Sequence, residues 1–171
     1  MVSPSRRALV DELDRYDRLL EVGIGNRPGV ARTLADRGCD VIAVDVDADR
    51  LTDYIPVDSG GSLLVRRGDV VALASLDDPL TALTDPQSAD PVDPVDRGPD
   101  PTSPTDIAGL DAVYARNLPA ELQRPTVSLA DALDADCLFT TLGFEEPVVP
   151  VERRSIRGST VHVARGSFRE N

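Results

Sequence analysis

A chain of 171 residues is long enough for one domain with a buried core and short for two. Its 30 acids face 18 bases, every base is arginine, and the formal net charge of -12 works against broad attraction to nucleic-acid phosphates. No apolar run nears the roughly 20 residues of a membrane span, nothing resembles a signal peptide, and Cys39 and Cys137 lack metal-ligand spacing, so a cytoplasmic protein with two free buried thiols and no metal centre is expected.

In chain order, Ser3-Pro4 opens a helix carrying Leu9, Leu13 and Tyr16 on one face, expected to cover an edge of a sheet. Leu19, Leu20 and Val22 suit a strand buried on both faces, as in a parallel sheet. The stretch LLEVGIGNRPG (Leu19 to Gly29) then places glycines at 23, 25 and 29, where the chain can turn sharply and approach a ligand with no Cβ in the way. Pro28 has the φ of a first-turn helix residue, and Val30, Ala31 and Leu34 form the apolar stripe of the helix. Gly38 ends it. Val41 to Val44 is the second strand, closing on Asp45 about 20 residues beyond the first glycine, where a dinucleotide fold receives ribose hydroxyls. The plainer reading is that glycines punctuate turns and Asp45 caps a helix. Strand, glycine turn, helix, strand and acid in register favour a nucleotide-type small-molecule ligand.

Beyond Asp45 the chain is irregular through Gly60-Gly61, and Ser62 to Arg66 is a third strand ending near Gly68-Asp69. Residues 77–106 hold eight Asp, one Arg and seven of the fourteen prolines. Such a segment cannot bury a core, so a disordered Asp/Pro-rich insertion is expected within a single domain over residues 1–171. Leu110 to Ala115 is the fourth strand, with Arg116 and Asn117 at its carboxyl end as substrate-side candidates. Pro119 and Pro125 each start a helical turn, and Leu129, Ala132 and Leu133 form the apolar face of a short helix. Cys137 to Leu142 is the fifth strand. Val148 to Ser155 and Ser159 to Ala164 bracket Arg157-Gly158 as a hairpin. Alternation puts the sole histidine, His162, opposite Val161 and Val163, as a partly exposed strand residue. The arginines of the tail form ion pairs or an anion or RNA contact.

The glycine spacing, with Glu21 two residues before Gly23, resembles motif I of class I S-adenosylmethionine-dependent methyltransferases. With Gly23 counted as the first position, the sixth is Pro28, which departs from the dinucleotide fingerprint. An acid beside the loop repels a pyrophosphate and accepts hydrogen bonds from a cation, and S-adenosylmethionine carries an ammonium and a sulfonium but no phosphate. The motif, Asp45, the element order and the stretch VYARNLPAELQ (Val113 to Gln123) are similar to an uncharacterised archaeal protein family with a Rossmann-like, methyltransferase-type fold. The Asp-rich, lysine-free composition matches a halophilic source. The resemblance implies an α/β three-layer sandwich, mostly parallel with an antiparallel carboxyl-terminal pair, binding S-adenosylmethionine through Glu21, Gly23, Gly25 and Asp45. An acid after the third strand often contacts adenine in this class. Asp69 matches that place, and it also matches an ordinary helix cap. Asn117-Leu118-Pro119 resembles the Asn-Leu-Pro-aromatic motif of RNA adenine dimethyltransferases, but Ala120 replaces the stacking aromatic. The alternatives are an NAD(P)-binding oxidoreductase-like protein, disfavoured because a Tyr-x-x-x-Lys dyad needs a lysine, and a nucleotide-binding module without catalysis.

Overall fold

The computed structural model describes residues 3–25, 28–47, 60–84 and 109–165. Its strands are β1 (Arg18–Val22), β2 (Asp40–Asp45), β3 (Ser62–Arg67), β4 (Ala112–Ala115), β5 (Asp136–Phe139), β6 (Glu152–Ile156) and β7 (Ser159–Arg165). The helices are α1 (Pro4–Leu13), α2 (Gly29–Asp36), α3 (Val70–Ala74), α4 (Pro79–Thr84) and α5 (Ala120–Ala132). The seven strands form one sheet in the order β3-β2-β1-β4-β5-β7-β6. The first five run parallel, and β7 lies antiparallel between β5 and β6. This is the mostly parallel sandwich with an antiparallel ending that the element order implies.

Strand alternation divides the core into two layers. Leu19, Val41 and Ala43 face α1 and α2, while Leu20, Ile42 and Val44 face α3, α4 and α5. Both faces are covered, so β1 and β2 read as near-continuous apolar runs. Helix α1 is capped by Ser3, whose hydroxyl accepts from the Arg6 amide at 3.3 Å, and buries Leu9, Val10 and Leu13. It lies on the sheet face beside α2 rather than only at an edge, and reaches the β6 edge through an Arg154–Glu12 ion pair. Tyr16, just past the helix, donates to Asp136 at 2.9 Å.

Five local expectations change. The acidic stretch that begins at Asp77 starts with a helix, α4: Asp78 caps it through the Thr81 amide and hydroxyl, Pro79 opens it, and Leu83 is buried. Residues 85–106 lie outside the described residues. Second, α5 is continuous through Pro125 instead of breaking into two turns. The proline forfeits one bond to the Glu121 carbonyl, and burial of Thr126, Leu129 and Ala130 outweighs that loss. Third, Ala132 is exposed, because Gln123 and Thr126, both fully buried, set the helix phase. Strand β5 also stops at Phe139, leaving Leu142 exposed.

The fifth change concerns His162, which is buried rather than partly exposed. Its ring lies 5.4 Å from that of Phe139, and Nδ1 has no hydrogen-bond partner among the described residues. Burial, then the Arg153 charge, lowers its pKa below 6.5, with Glu146 opposing. A depressed histidine pKa adds stability above pH 6.5 that is lost as pH falls through that value towards the folded one. Urea midpoints are therefore expected to fall between pH 7 and pH 5.5, and less steeply in His162→Leu. Gly61 offers a second check. A Cβ there would stand 2.5 Å from the Cys39 carbonyl oxygen and closer still to that of Ala35. Gly61→Ala is expected to cost about 2 kcal/mol or more in chemical denaturation. At Gly68 a Cβ would meet Leu73 Cδ1 at 3.5 Å and Val44 at 3.9 Å, ordinary contacts, so Gly68→Ala should cost far less.

Candidate functional site

The strand order reverses between β1 and β4: from β1 the chain winds towards β3, and from β4 towards β5. Open α/β sheets carry their ligand crevice at the carboxyl ends of the strands at such a point. A cleft of about 420 Å³ lies there, within the range of small-molecule sites. Gly23, Ile24, Gly25 and Val30 form its glycine-loop side, and Arg116, Asn117 and Thr140 its β4–β5 side. Ser3 at the cap of α1, Ser5, Arg6 and Leu9 within it, and Ser159 of β7 complete it.

Gly23 and Gly25 both adopt the left-handed backbone, at φ +73° and +58°, and a Cβ on either would meet nothing within 4 Å. Glycine is needed there for backbone conformation, and the loop backbone stands open. The Gly23 amide donates to the Val44 carbonyl at 2.8 Å. The Gly25 amide donates to Asp45 Oδ2 at 2.7 Å, and Oδ1 of the same carboxylate accepts from the Asp47 amide at 2.9 Å. Asp45 thus braces the glycine loop against the end of β2. Pro28 takes the N-cap position of α2, one place before the first helical residue, and supplies no side-chain cap.

Glu21 lies beneath the cleft and not in it. It is fully buried, directly opposite Tyr114 in the β1–β4 pairing. The Tyr114 hydroxyl donates to Oε2 at 2.8 Å, and Arg116 Nε donates to Oε1 at 3.1 Å. Burial pushes the Glu21 carboxyl above its ordinary pKa, an effect that the charge of Arg116 and the hydrogen bond from Tyr114 partly offset. Burial, reinforced by Glu21, keeps the Tyr114 phenol protonated and donating. Arg116 shares the face of Tyr114 two residues on, so the ion pair fixes where its guanidinium enters the cleft.

Asn117 turns the chain out of β4 at φ +52°, a conformation that asparagine tolerates better than most residues. Its amide donates to Thr140 Oγ1 at 2.9 Å, and the Leu118 amide to the Thr140 carbonyl at 2.8 Å. Asp69 caps α3, accepting from the Val71 amide at 2.9 Å, and does not line the cleft. Of the residues singled out in the sequence, Gly23, Gly25, Arg116 and Asn117 meet in the cleft, Asp45 and Glu21 support it, and Asp69 stands apart. Tyr114, Thr140 and Arg6 were not singled out. Tyr114 was detectable as the period-two neighbour of Arg116, and Thr140 as the polar residue ending an apolar strand.

The comparisons with known proteins agree with this architecture. The uncharacterised protein family UPF0146 matches residues 5–58 and 100–165. A UPF0146 protein of Halobacterium salinarum is 37% identical over 166 residues, covering 96% of this chain and 98% of the relative. Among solved structures, the rRNA methyltransferase aviRa from Streptomyces viridochromogenes is similar with a TM-score of 0.52 and 16% identity, covering 96% of this chain and 86% of that one. The methyltransferase domain of bacterial CtHen1-CN gives a TM-score of 0.50 at 11% identity, covering 95% and 96%. At such identities the likeness concerns the fold. The chain belongs to the protein family UPF0146, and its fold is that of the class I methyltransferases.

Proposed function

We propose that this protein binds S-adenosylmethionine in the β1–β4 cleft and acts as a small methyltransferase. The observation that carries the reading is the carboxylate-braced glycine loop. Both glycine amides are already used, by the Val44 carbonyl and the Asp45 carboxylate. A pyrophosphate would find these donors spent and a negative charge beside them. A ligand with an ammonium and a sulfonium meets no such obstacle. Asp45, at the end of β2, also has lone pairs left for ribose hydroxyls. Glu21 contributes by holding Arg116, which with Asn117 bounds the acceptor side. Methyl transfer to a good nucleophile needs chiefly position, which the rigid β1 and β4 ends supply.

Calorimetric titration with S-adenosylhomocysteine and with NADH tests the reading. Binding of the former and not the latter is expected, and NADH binding alone would reverse it. Asp45→Ala releases the Gly25 amide and is expected to weaken S-adenosylhomocysteine at least tenfold; unchanged affinity would mean that the donor site lies elsewhere. Arg116→Ala should abolish transfer of labelled methyl groups to cell extract. The same variant leaves Glu21 buried with Tyr114 alone, which costs about 3 kcal/mol, so urea midpoints should drop and partly recover in Glu21→Gln/Arg116→Ala. Transfer is therefore compared at matched folded fraction.

A further inference from the structure

Arg6 differs from the arginines around it. Arg18 pairs with Asp111 and Arg37 with Asp11 and Asp14, while Arg32 on α2 is exposed to water. The neighbouring Arg7 is exposed to water. Arg6 is half-buried in the cleft wall, and among the described residues its guanidinium makes neither an ion pair nor a hydrogen bond. In a chain with 30 acids, a cation kept partly from water with no carboxylate is an uncompensated cost.

Its surroundings sharpen that cost. Arg6 Nη1 lies 3.2 Å from where a Cβ on Gly29 would stand, so the guanidinium covers the first residue of α2. Neither α1 nor α2 has an acid in its first turn to balance its positive end. Arg116, Ser5 and Ser159 line the same cleft, with the Ser5 hydroxyl 3.2 Å from that of Ser3. Two arginines and two serines thus line one cleft open to solvent, and guanidinium and hydroxyl groups are the donors that recognise a carboxylate or a phosphate.

We infer that the α1 side of the cleft is an anion subsite in which Arg6, with the hydroxyls of Ser5 and Ser159, anchors a carboxylate or phosphate on the methyl acceptor. The word acceptor rests on the reading above, with the donor on the glycine-loop side; the anion subsite itself does not. The substrate class is then a small molecule or group carrying an anion, held next to the glycine loop.

The test uses isotope-labelled full-length protein, titrated at constant ionic strength with inorganic phosphate and, separately, with acetate. Saturable amide shifts at Ser5, Ile24 and Ser159 are expected with at least one anion, and the stronger of the two names the group. Arg6→Gln should abolish them, Arg6→Lys should retain them with weaker affinity, and Arg7→Gln should leave them within twofold. Unchanged circular dichroism and melting temperature in Arg6→Gln confirm that the variant folds. Saturating S-adenosylhomocysteine should not displace the anion from the wild type. Absence of saturable shifts in the wild type, or their survival in Arg6→Gln, overturns the proposal. A tenfold loss of S-adenosylhomocysteine affinity in Arg6→Gln also overturns it, by assigning Arg6 to the donor's own carboxylate. If the wild type binds phosphate or acetate through Arg6 but no S-adenosylhomocysteine, the donor reading fails and the anion subsite stands.

Discussion

A carboxylate placed fully out of water between two central strands constrains everything near it. Glu21 must be paired, because an ionised group in the interior loses its hydration and recovers it only through close, well-directed partners. Its partners come from β4, the strand across the reversal in sheet order, so the pairing register of β1 and β4 and the electrostatics of the core are one problem. The solution leaves Tyr114 and Arg116 one above the other on the same face. The upper of the two projects where the sheet opens. A side chain that would otherwise roam on four torsions is thereby held at a stated place.

The second carboxylate near the sheet's carboxyl edge works in the opposite way. Asp45 is at the surface, and its oxygens are satisfied by backbone amides of its own turn and of the glycine loop. Glu21 sets the position of one wall from below and Asp45 that of the other from the side. Between them the cleft is bounded by parts that need not rearrange to receive a ligand, so little binding energy is spent on ordering the site.

The strands and the glycine loop were legible because their physics is local. A buried parallel strand is a short apolar run, and a left-handed turn asks for glycine. Glu21 was legible as a special residue but not as a buried one, since its partner Tyr114 lies 93 positions along the chain and meets it only through strand order. The face of α5 was misassigned at Ala132 because Gln123 and Thr126, buried through hydrogen bonds to Leu118 and Leu122 carbonyls, look polar to a hydrophobic pattern. For His162 alternation implies partial exposure, because it names a face without saying what covers it. Arg6 beside Arg7 at a helix start looks like two solvated charges; only the packing of α1 beside α2 separates their environments.

The edge at β6 has a consequence for how molecules of this protein meet one another. Among the described residues that strand is the last of the sheet, with one side unpaired, and it carries Glu152, Arg153 and Arg154 in succession. Net repulsion from a charge of -12 keeps molecules apart only over a screening length, about 10 Å at 0.1 M salt and about 3 Å at 1 M. In brine the long-range repulsion is gone, and what remains is short-ranged. To add a strand to β6, a second chain must strip water from three adjacent ionic side chains, a penalty that survives when their fields are screened. Resistance to edge-to-edge stacking in this fold is then a property of hydration at one strand, largely indifferent to ionic strength.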